Sequence, residues 1–291
     1  MIQAHIVASA LKHAHPALEI EIRRIMTEGD RNRNMSIDDA GNTGIFVKAL
    51  EEALADERID VAVHSLKDMP TELPGDMCLA AVTERLDPRD ALVAVARLGE
   101  LQPGSRIGTG SLRRTAQLKN LRSDLQVINI RGNVDSRLRK VNSGEMQGII
   151  VAAAAMIRLG WEDKITEYLL LGSFLPAVGQ GALAIEARKG DRVTQESVTI
   201  LNHLPTWQAV TAERAFLHTV EGGCRAPVAA LATVNGQILK ITAMVADKSG
   251  TKIIKKSLEG DARQAESPGI KLAQMMLEAG AASLIDEIRC Q

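Results

Sequence analysis

Arg106-Ile107-Gly108-Thr109-Gly110-Ser111-Leu112-Arg113-Arg114, followed by Gln126-Val127-Ile128-Asn129-Ile130 and Arg131-Gly132-Asn133-Val134, is the stretch whose reading decides the fold. Short aliphatic runs end in polar, glycine-punctuated loops. Each loop then opens a segment, Ser111 to Leu121 or Val134 to Val141, with apolar residues three and four apart. Strand, loop and helix in that order predict an α/β architecture in which helices cover a mainly parallel sheet. Working outward, Ile59 to Val63, Ala91 to Val95 and Gly148 to Ala152 read as further strands, and Phe46 to Leu54 as a further helix.

Two polar, proline-punctuated stretches interrupt this alternation, one around Thr83 to Arg89 and one at Leu175-Pro176-Ala177-Val178-Gly179-Gln180-Gly181. Both read as hinges. Beyond Pro205 the order changes to one long helix, three strands near Val228 to Val234, Gln237 to Val245 and Lys252 to Leu258, and closing helices from about Ser267. That pattern predicts a separate α+β domain.

At 291 residues the chain is longer than one core usually organises, so two or three domains are expected. Its 2% aromatic content argues against a surface on which nucleic-acid bases stack. The three cysteines, Cys78, Cys224 and Cys290, form no CxxC pair, which points away from a zinc site or a disulfide framework and toward a reducing cytoplasm. No run of eighteen apolar residues and no basic-flanked leader is present.

The net charge of −1 hides a strongly basic stretch. Arg106, Arg113, Arg114, Lys119, Arg122, Arg131, Arg137, Arg139 and Lys140 meet only Asp124 and Asp135 there. A solvated helix face is the plain explanation; position along the fold decides otherwise. In open α/β sheets ligands bind beyond the carboxyl ends of the strands. His64-Ser65-Leu66-Lys67-Asp68, Gly108-Thr109-Gly110-Ser111 and Arg131-Gly132-Asn133 all sit there. Ser111 is a natural N-cap, yet Arg113 and Arg114 in the first turn oppose the helix dipole by roughly 0.3–1 kcal/mol each. An anionic ligand would account for them; the alternative is that both point into water.

The glycines form neither GxGxxG nor a GK[ST] loop, so nucleotide binding is disfavoured. His13 and His15 lack a third ligand nearby and read as a surface turn rather than a metal site. In Glu221-Gly222-Gly223-Cys224-Arg225 a tight turn presents a thiol next to a cation that favours the thiolate, although most lone cysteines are merely small buried hydrophobes.

Taken together, six segments make this chain resemble the hydroxymethylbilane synthase (porphobilinogen deaminase) family over nearly its whole length. They are His64-Ser65-Leu66-Lys67-Asp68-Met69-Pro70, Glu84-Arg85 with Asp87-Pro88-Arg89-Asp90-Ala91, and Gly108-Thr109-Gly110-Ser111-Leu112-Arg113-Arg114. Arg131-Gly132-Asn133-Val134, Leu175 to Ala182 and Glu221-Gly222-Gly223-Cys224 complete the set. The resemblance implies two α/β domains like those of periplasmic binding proteins with a cleft between them, and a smaller α+β C-terminal domain. These would comprise residues 1–84 with 182–200, residues 89–176, and residues 204–291.

It further implies a transferase that deaminates and joins four porphobilinogen molecules into linear hydroxymethylbilane in tetrapyrrole (heme) biosynthesis. By similarity the primer is a dipyrromethane cofactor held through a thioether to Cys224, and no metal is needed. Ser65, Lys67, Thr109, Ser111, Arg113, Arg114, Arg131, Arg137 and Arg158 would hold the acetates and propionates of cofactor and substrate. Asp68 would be the catalytic carboxylate, stabilising the azafulvene cation left when ammonia departs and handling protons; an N-cap or an ion pair with Lys67 is its structural alternative. The resemblance also implies a cytoplasmic monomer with no nucleic-acid or membrane partner.

Three departures stand out. The family normally begins with a strand and a Thr-Arg-x-Ser segment before the point matched by Ile2-Gln3-Ala4, so the first domain is expected to lack a strand. Asp39 and Thr43 stand where lysines are usual, and Gly110 where a serine is usual. A truncated or impaired relative that only binds pyrrole polycarboxylates is the alternative reading.

Overall fold

The computed structural model describes residues 1–25, 42–220 and 226–289. Asp39, Cys224, Arg225 and Cys290 lie outside them, as does the side chain of Thr43. The chain divides into two compact units, Met1–Arg85 with Ala182–Trp207, and Leu86–Gly181 with Gln208–Gln291.

In the first unit, helices α1 (Ile2–Ala14) and α2 (Asn42–Ala55) accompany a sheet of β1 (Val61–Ser65), β2 (Met77–Val82) and β8 (Leu183–Arg188), with α6 (Arg192–Thr199). The strand order is β1-β8-β2, and both pairings are antiparallel. The expected mainly parallel arrangement is thus corrected for this sheet: its middle strand comes from the far end of the first domain's sequence and runs against both neighbours. Val7 and Leu11 of α1 pack with Ala81, Leu183, Ile185 and Val198 in its core. Each such side chain contributes roughly 1.5–3 kcal/mol on full burial.

β1 is an edge strand among the described residues. Residues 19–25 make no backbone-to-backbone hydrogen bond among the described residues. They border a groove of about 910 Å³ that is also lined by Val7, Leu11, Val61, Val63 and Val198.

The second unit carries a five-stranded sheet ordered β5-β4-β6-β3-β7. Its strands are β3 (Asp90–Ala94), β4 (Arg106–Gly108), β5 (Gln126–Ile128), β6 (Gly148–Ala152) and β7 (Glu167–Tyr168). β4 runs parallel to β5 and β6, whereas β3 runs against β6 and β7. Helices α3 (Leu112–Leu121), α4 (Val134–Asn142) and α5 (Ala153–Leu159) follow their strands as the alternation predicts. Ser111 caps α3 by accepting from the Arg114 N–H, and Asn133 caps α4 by accepting from the Ser136 N–H.

The same unit contains α7 (Leu204–Thr219), the antiparallel meander β9 (Val228–Asn235), β10 (Ile238–Ala246) and β11 (Ile253–Asp261), and helices α8 (Glu266–Met276) and α9 (Ala282–Arg289). Phe216, Ile241, Val245, Leu272 and Met276 belong to its core. A second cluster joins Ala116 of α3 and Leu175 to Ala229, Leu231 and Met244. Buried Glu213 of α7 reinforces this seam, accepting the N–H of Gly179 at 2.7 Å and that of Ala232 at 2.8 Å.

Candidate active site

Asp90 opens β3, a strand otherwise made of Ala91, Leu92, Val93 and Ala94, and its side chain is fully buried. A carboxylate there demands partners, because an uncompensated buried charge costs several kcal/mol. α3 supplies them. Arg113 Nη1 donates to Asp90 Oδ2 at 2.7 Å, while Arg114 donates to Oδ1 from Nη2 at 2.6 Å and from Nε at 3.0 Å. Gln180 adds a third donor to Oδ1 at 3.0 Å and also bonds the Pro88 carbonyl at 2.8 Å.

Arg113 and Arg114 retain only 5% and 6% of their exposure, so neither points into water. The dipole conflict in the first turn of α3 is met by an internal anion. Arg114 is engaged at all three nitrogens, because its Nη1 also donates to the Ile150 carbonyl at 3.0 Å. Arg113 is half used: Nη1 also reaches the Leu175 carbonyl at 2.6 Å, but Nε and Nη2 make no hydrogen bond among the described residues. Gln117 fixes Leu175 from both sides, donating to its carbonyl at 3.0 Å and accepting its N–H at 2.6 Å.

Burial alone would raise the Asp90 pKa, yet the attraction of Arg113 and then Arg114 outweighs it and holds the carboxyl far below the usual range. Burial pushes the Arg113 pKa down against the pull of Asp90, and repulsion from Arg114 adds to it. Arg137 is also lowered, first by burial and then by Arg114. Its Nε donates to the Gly132 carbonyl at 2.9 Å. Arg158 is lowered by burial; its Nη2 donates to the Gly181 carbonyl at 2.7 Å, while its buried Nε has no partner among the described residues. Arg131 is exposed and makes no hydrogen bond or ion pair among the described residues. Thr109 is buried, and its Oγ1 accepts the Ser111 N–H at 3.2 Å.

In the first unit, β1 runs into a single 3₁₀ turn at Leu66–Asp68. Buried Leu66 anchors the turn, and Ser65 Oγ accepts from Gln3 Nε2 at 2.7 Å. Lys67 is half-buried. Asp68 is exposed and makes no hydrogen bond or ion pair among the described residues, so it serves neither as an N-cap nor as the partner of Lys67. One residue before Ser65, buried His64 places Nε2 2.9 Å from Oε2 of buried Glu186 on β8.

Sequence reasoning missed Asp90, Gln117, Gln180 and Glu186 as site-building residues. For Asp90 the signal was present: a lone acid at the head of an apolar strand, in a region with unbalanced arginines.

Residues 1–196 match the family model described as porphobilinogen deaminase, dipyromethane cofactor binding domain, and residues 207–278 match the porphobilinogen deaminase C-terminal domain. A porphobilinogen deaminase of Alkaliphilus metalliredigens is 44% identical over 99% of this chain and 92% of its own length. One from Pelobacter propionicus is 42% identical over 98% of this chain and 93% of its own. Among solved structures, the methionine-binding protein MetQ gives a TM-score of 0.43 at 12% identity, covering 72% of this chain and 87% of that one. With both of its parts matched and relatives of this identity along almost its entire length, the chain belongs to the porphobilinogen deaminase family.

Proposed function

We propose that the chain is a transferase that deaminates porphobilinogen and joins four such units into linear hydroxymethylbilane. The observation that carries this reading is the charge imbalance around Asp90: two buried guanidiniums against one carboxylate, with the Nε–Nη2 edge of Arg113 left over. A buried cation with an unused side-on fork suits a carboxylate ligand. Each porphobilinogen unit brings an acetate and a propionate, so a growing chain multiplies the demand for such forks.

A dipyrromethane fits the same residues, since it too is a polycarboxylate, and the Nε of Arg158 adds a second buried donor without an acceptor among the described residues. When bound, that group supplies a covalently anchored pyrrole end from which the chain is extended. In the second unit Arg113, Arg158 and Arg131 would hold carboxylates of cofactor or substrate, with Arg137, Thr109 and Ser111 as further donors; in the first unit Ser65 and Lys67 would do so. Cys224 would be the anchor. Asp68, exposed at the end of the turn after β1 and with no partner among the described residues, stands ready to stabilise the positive charge that develops as ammonia leaves and to accept the proton released from the pyrrole carbon. A cytoplasmic setting belongs to this reading through the family resemblance. Among the described residues no helix is long and apolar enough to cross a membrane.

The test is the intact mass of the purified full chain beside its Cys224→Ser variant. The reading expects an adduct of two pyrrole units on the unmodified chain, and colour with Ehrlich's reagent, both lost in the nearly isosteric variant. A bare sequence mass for the unmodified chain, with no consumption of porphobilinogen, overturns it.

A further inference from the structure

Asp90, Arg113, Arg114 and Gln180 form one hydrogen-bonded unit, but its members are not equivalent. Arg114 donates from all three of its nitrogens to protein acceptors, two bonds to Asp90 Oδ1 and one to Ile150 O, and retains 6% exposure. Its Nε–Nη2 edge, the counterpart of the one Arg113 keeps, is closed by Asp90. Arg113 spends Nη1 alone, shared between Asp90 Oδ2 and Leu175 O, and keeps the adjacent Nε and Nη2 unused among the described residues. Those two nitrogens are the edge of a guanidinium that meets a carboxylate with two parallel bonds. Asp90 itself is fully buried and directs both oxygens to protein donors, so it cannot touch a ligand.

We infer that Asp90 is a positioning residue that fixes Arg113 with its Nε–Nη2 edge turned to a ligand carboxylate, and that Arg114 acts only through Asp90. The inference rests on the functional reading above and divides its arginines into one that binds and one that braces. Gln180 sits in the brace as well, tying Asp90 to the carbonyl of Pro88. Removing Asp90 leaves the charge of Arg113 in place but frees its torsions. The ligand then meets a cation without a set direction, and a single ion contact replaces a two-bond fork.

The experiment uses the full chain and reads two quantities: the fraction carrying the covalent pyrrole adduct by intact mass, and KM and kcat for porphobilinogen. Arg113→Lys, which keeps the charge and loses the fork, should lower the loaded fraction and raise KM about 10-fold or more. Asp90→Asn should do the same in direction and cost KM more than kcat. Arg114→Lys, which can still bond Asp90, should stay within about 3-fold of the parent, whereas Arg114→Gln should resemble Asp90→Asn. The decisive measurement is the double variant Arg113→Lys with Asp90→Asn. A residue that works only through Arg113 adds nothing once the fork is gone, so the double should match Arg113→Lys within about 2-fold.

Multiplying penalties in the double, or a larger loss for Arg114→Lys than for Arg113→Lys, overturns the inference. Should Asp90→Asn fail to accumulate as folded protein, Arg114→Gln combined with Arg113→Lys reads the same coupling, with the same two outcomes. If the unmodified chain is neither loaded nor active, the functional reading falls and takes this inference with it. If the unmodified chain is loaded and active while the penalties multiply, only the inference falls.

Discussion

The two units place ionisable groups in opposite ways. In the second, Asp90 and its two arginines are buried, mutually bonded and held by backbone carbonyls. In the first, the carboxylate of Asp68 stands exposed at the end of the turn after β1 with no partner among the described residues, while the buried pair His64 and Glu186 lies one residue inside the sheet. A group that must present a fixed direction to an anion has to be braced, and bracing costs exposure. A group that must meet a charge existing only during reaction has to stay uncommitted.

The sharpest way to break this comparison is to remove the brace. Asp90→Asn leaves two buried guanidiniums without a counter-charge, and losing one partner of a buried pair costs about 3–5 kcal/mol. Equilibrium denaturation should show a loss of that size, whereas a change under about 1 kcal/mol would mean that water reaches the site freely. The acid limb adds a check. Because the folded pKa of Asp90 lies below its unfolded value, the stabilisation is complete above about pH 4 and drains away only as pH falls through the depressed folded value. The parent should therefore lose stability more steeply than Asp90→Asn below about pH 4, with parallel curves above it.

Asp68→Asn tests the other side. With no bond among the described residues to break, it should leave the melting temperature and the loaded fraction unchanged while kcat falls about 10²-fold or more. A drop in stability comparable to that of Asp90→Asn, at unchanged kcat, would reverse the roles assigned to the two carboxylates.

How much of this could be read from the sequence follows the same division. The helices after Thr109 and Asn133, their caps at Ser111 and Asn133, and the meander from Val228 announced themselves, because each depends on spacing within a few residues. β2 and β8 did not. Met77 to Val82 shows no alternation of polar and apolar side chains, and β8 finds its partners more than a hundred residues upstream. The arginines were legible as unbalanced charge, yet their counter-ion was not, since Asp90 is twenty-three residues from Arg113 and meets it only when β3 enters the sheet. Asp68 could be placed just after a strand, but its lack of a partner among the described residues belongs to the folded state alone.

The seam within the second unit offers a smaller test. Gly250, with φ of +74°, lies so close to the Ala116 carbonyl of α3 that a methyl group at that position would collide with backbone, and its own carbonyl accepts from Asn120 at 3.1 Å. Gly250→Ala should destabilise by about 1–3 kcal/mol through strain and overpacking. It should also loosen α3, and with it Arg113, so the loaded fraction should fall while Asp68 chemistry in the loaded fraction persists. An Ala variant with parental stability would show that the Asp247–Thr251 turn can swing off α3 at little cost.

The smallest effect is expected at Gly110, where relatives by resemblance carry a serine. A Cβ there would stand 2.8 Å from the Ile130 carbonyl oxygen and 3.4 Å from Asn129 Oδ1. The first contact is with backbone, so the loop after β5 has to yield by a few tenths of an ångström. The position is exposed and needs no positive φ, which leaves the strain local. Gly110→Ser should therefore cost about 1 kcal/mol, at the low end for overpacking. Because the displaced loop leads into Arg131 and Gly132, whose carbonyl accepts from Arg137, the change should raise KM for porphobilinogen modestly and leave kcat alone. Unchanged stability with a lowered KM would instead show that a serine fits and adds a donor for the ligand, and that the close approach of the two loops is not what sets this side of the site.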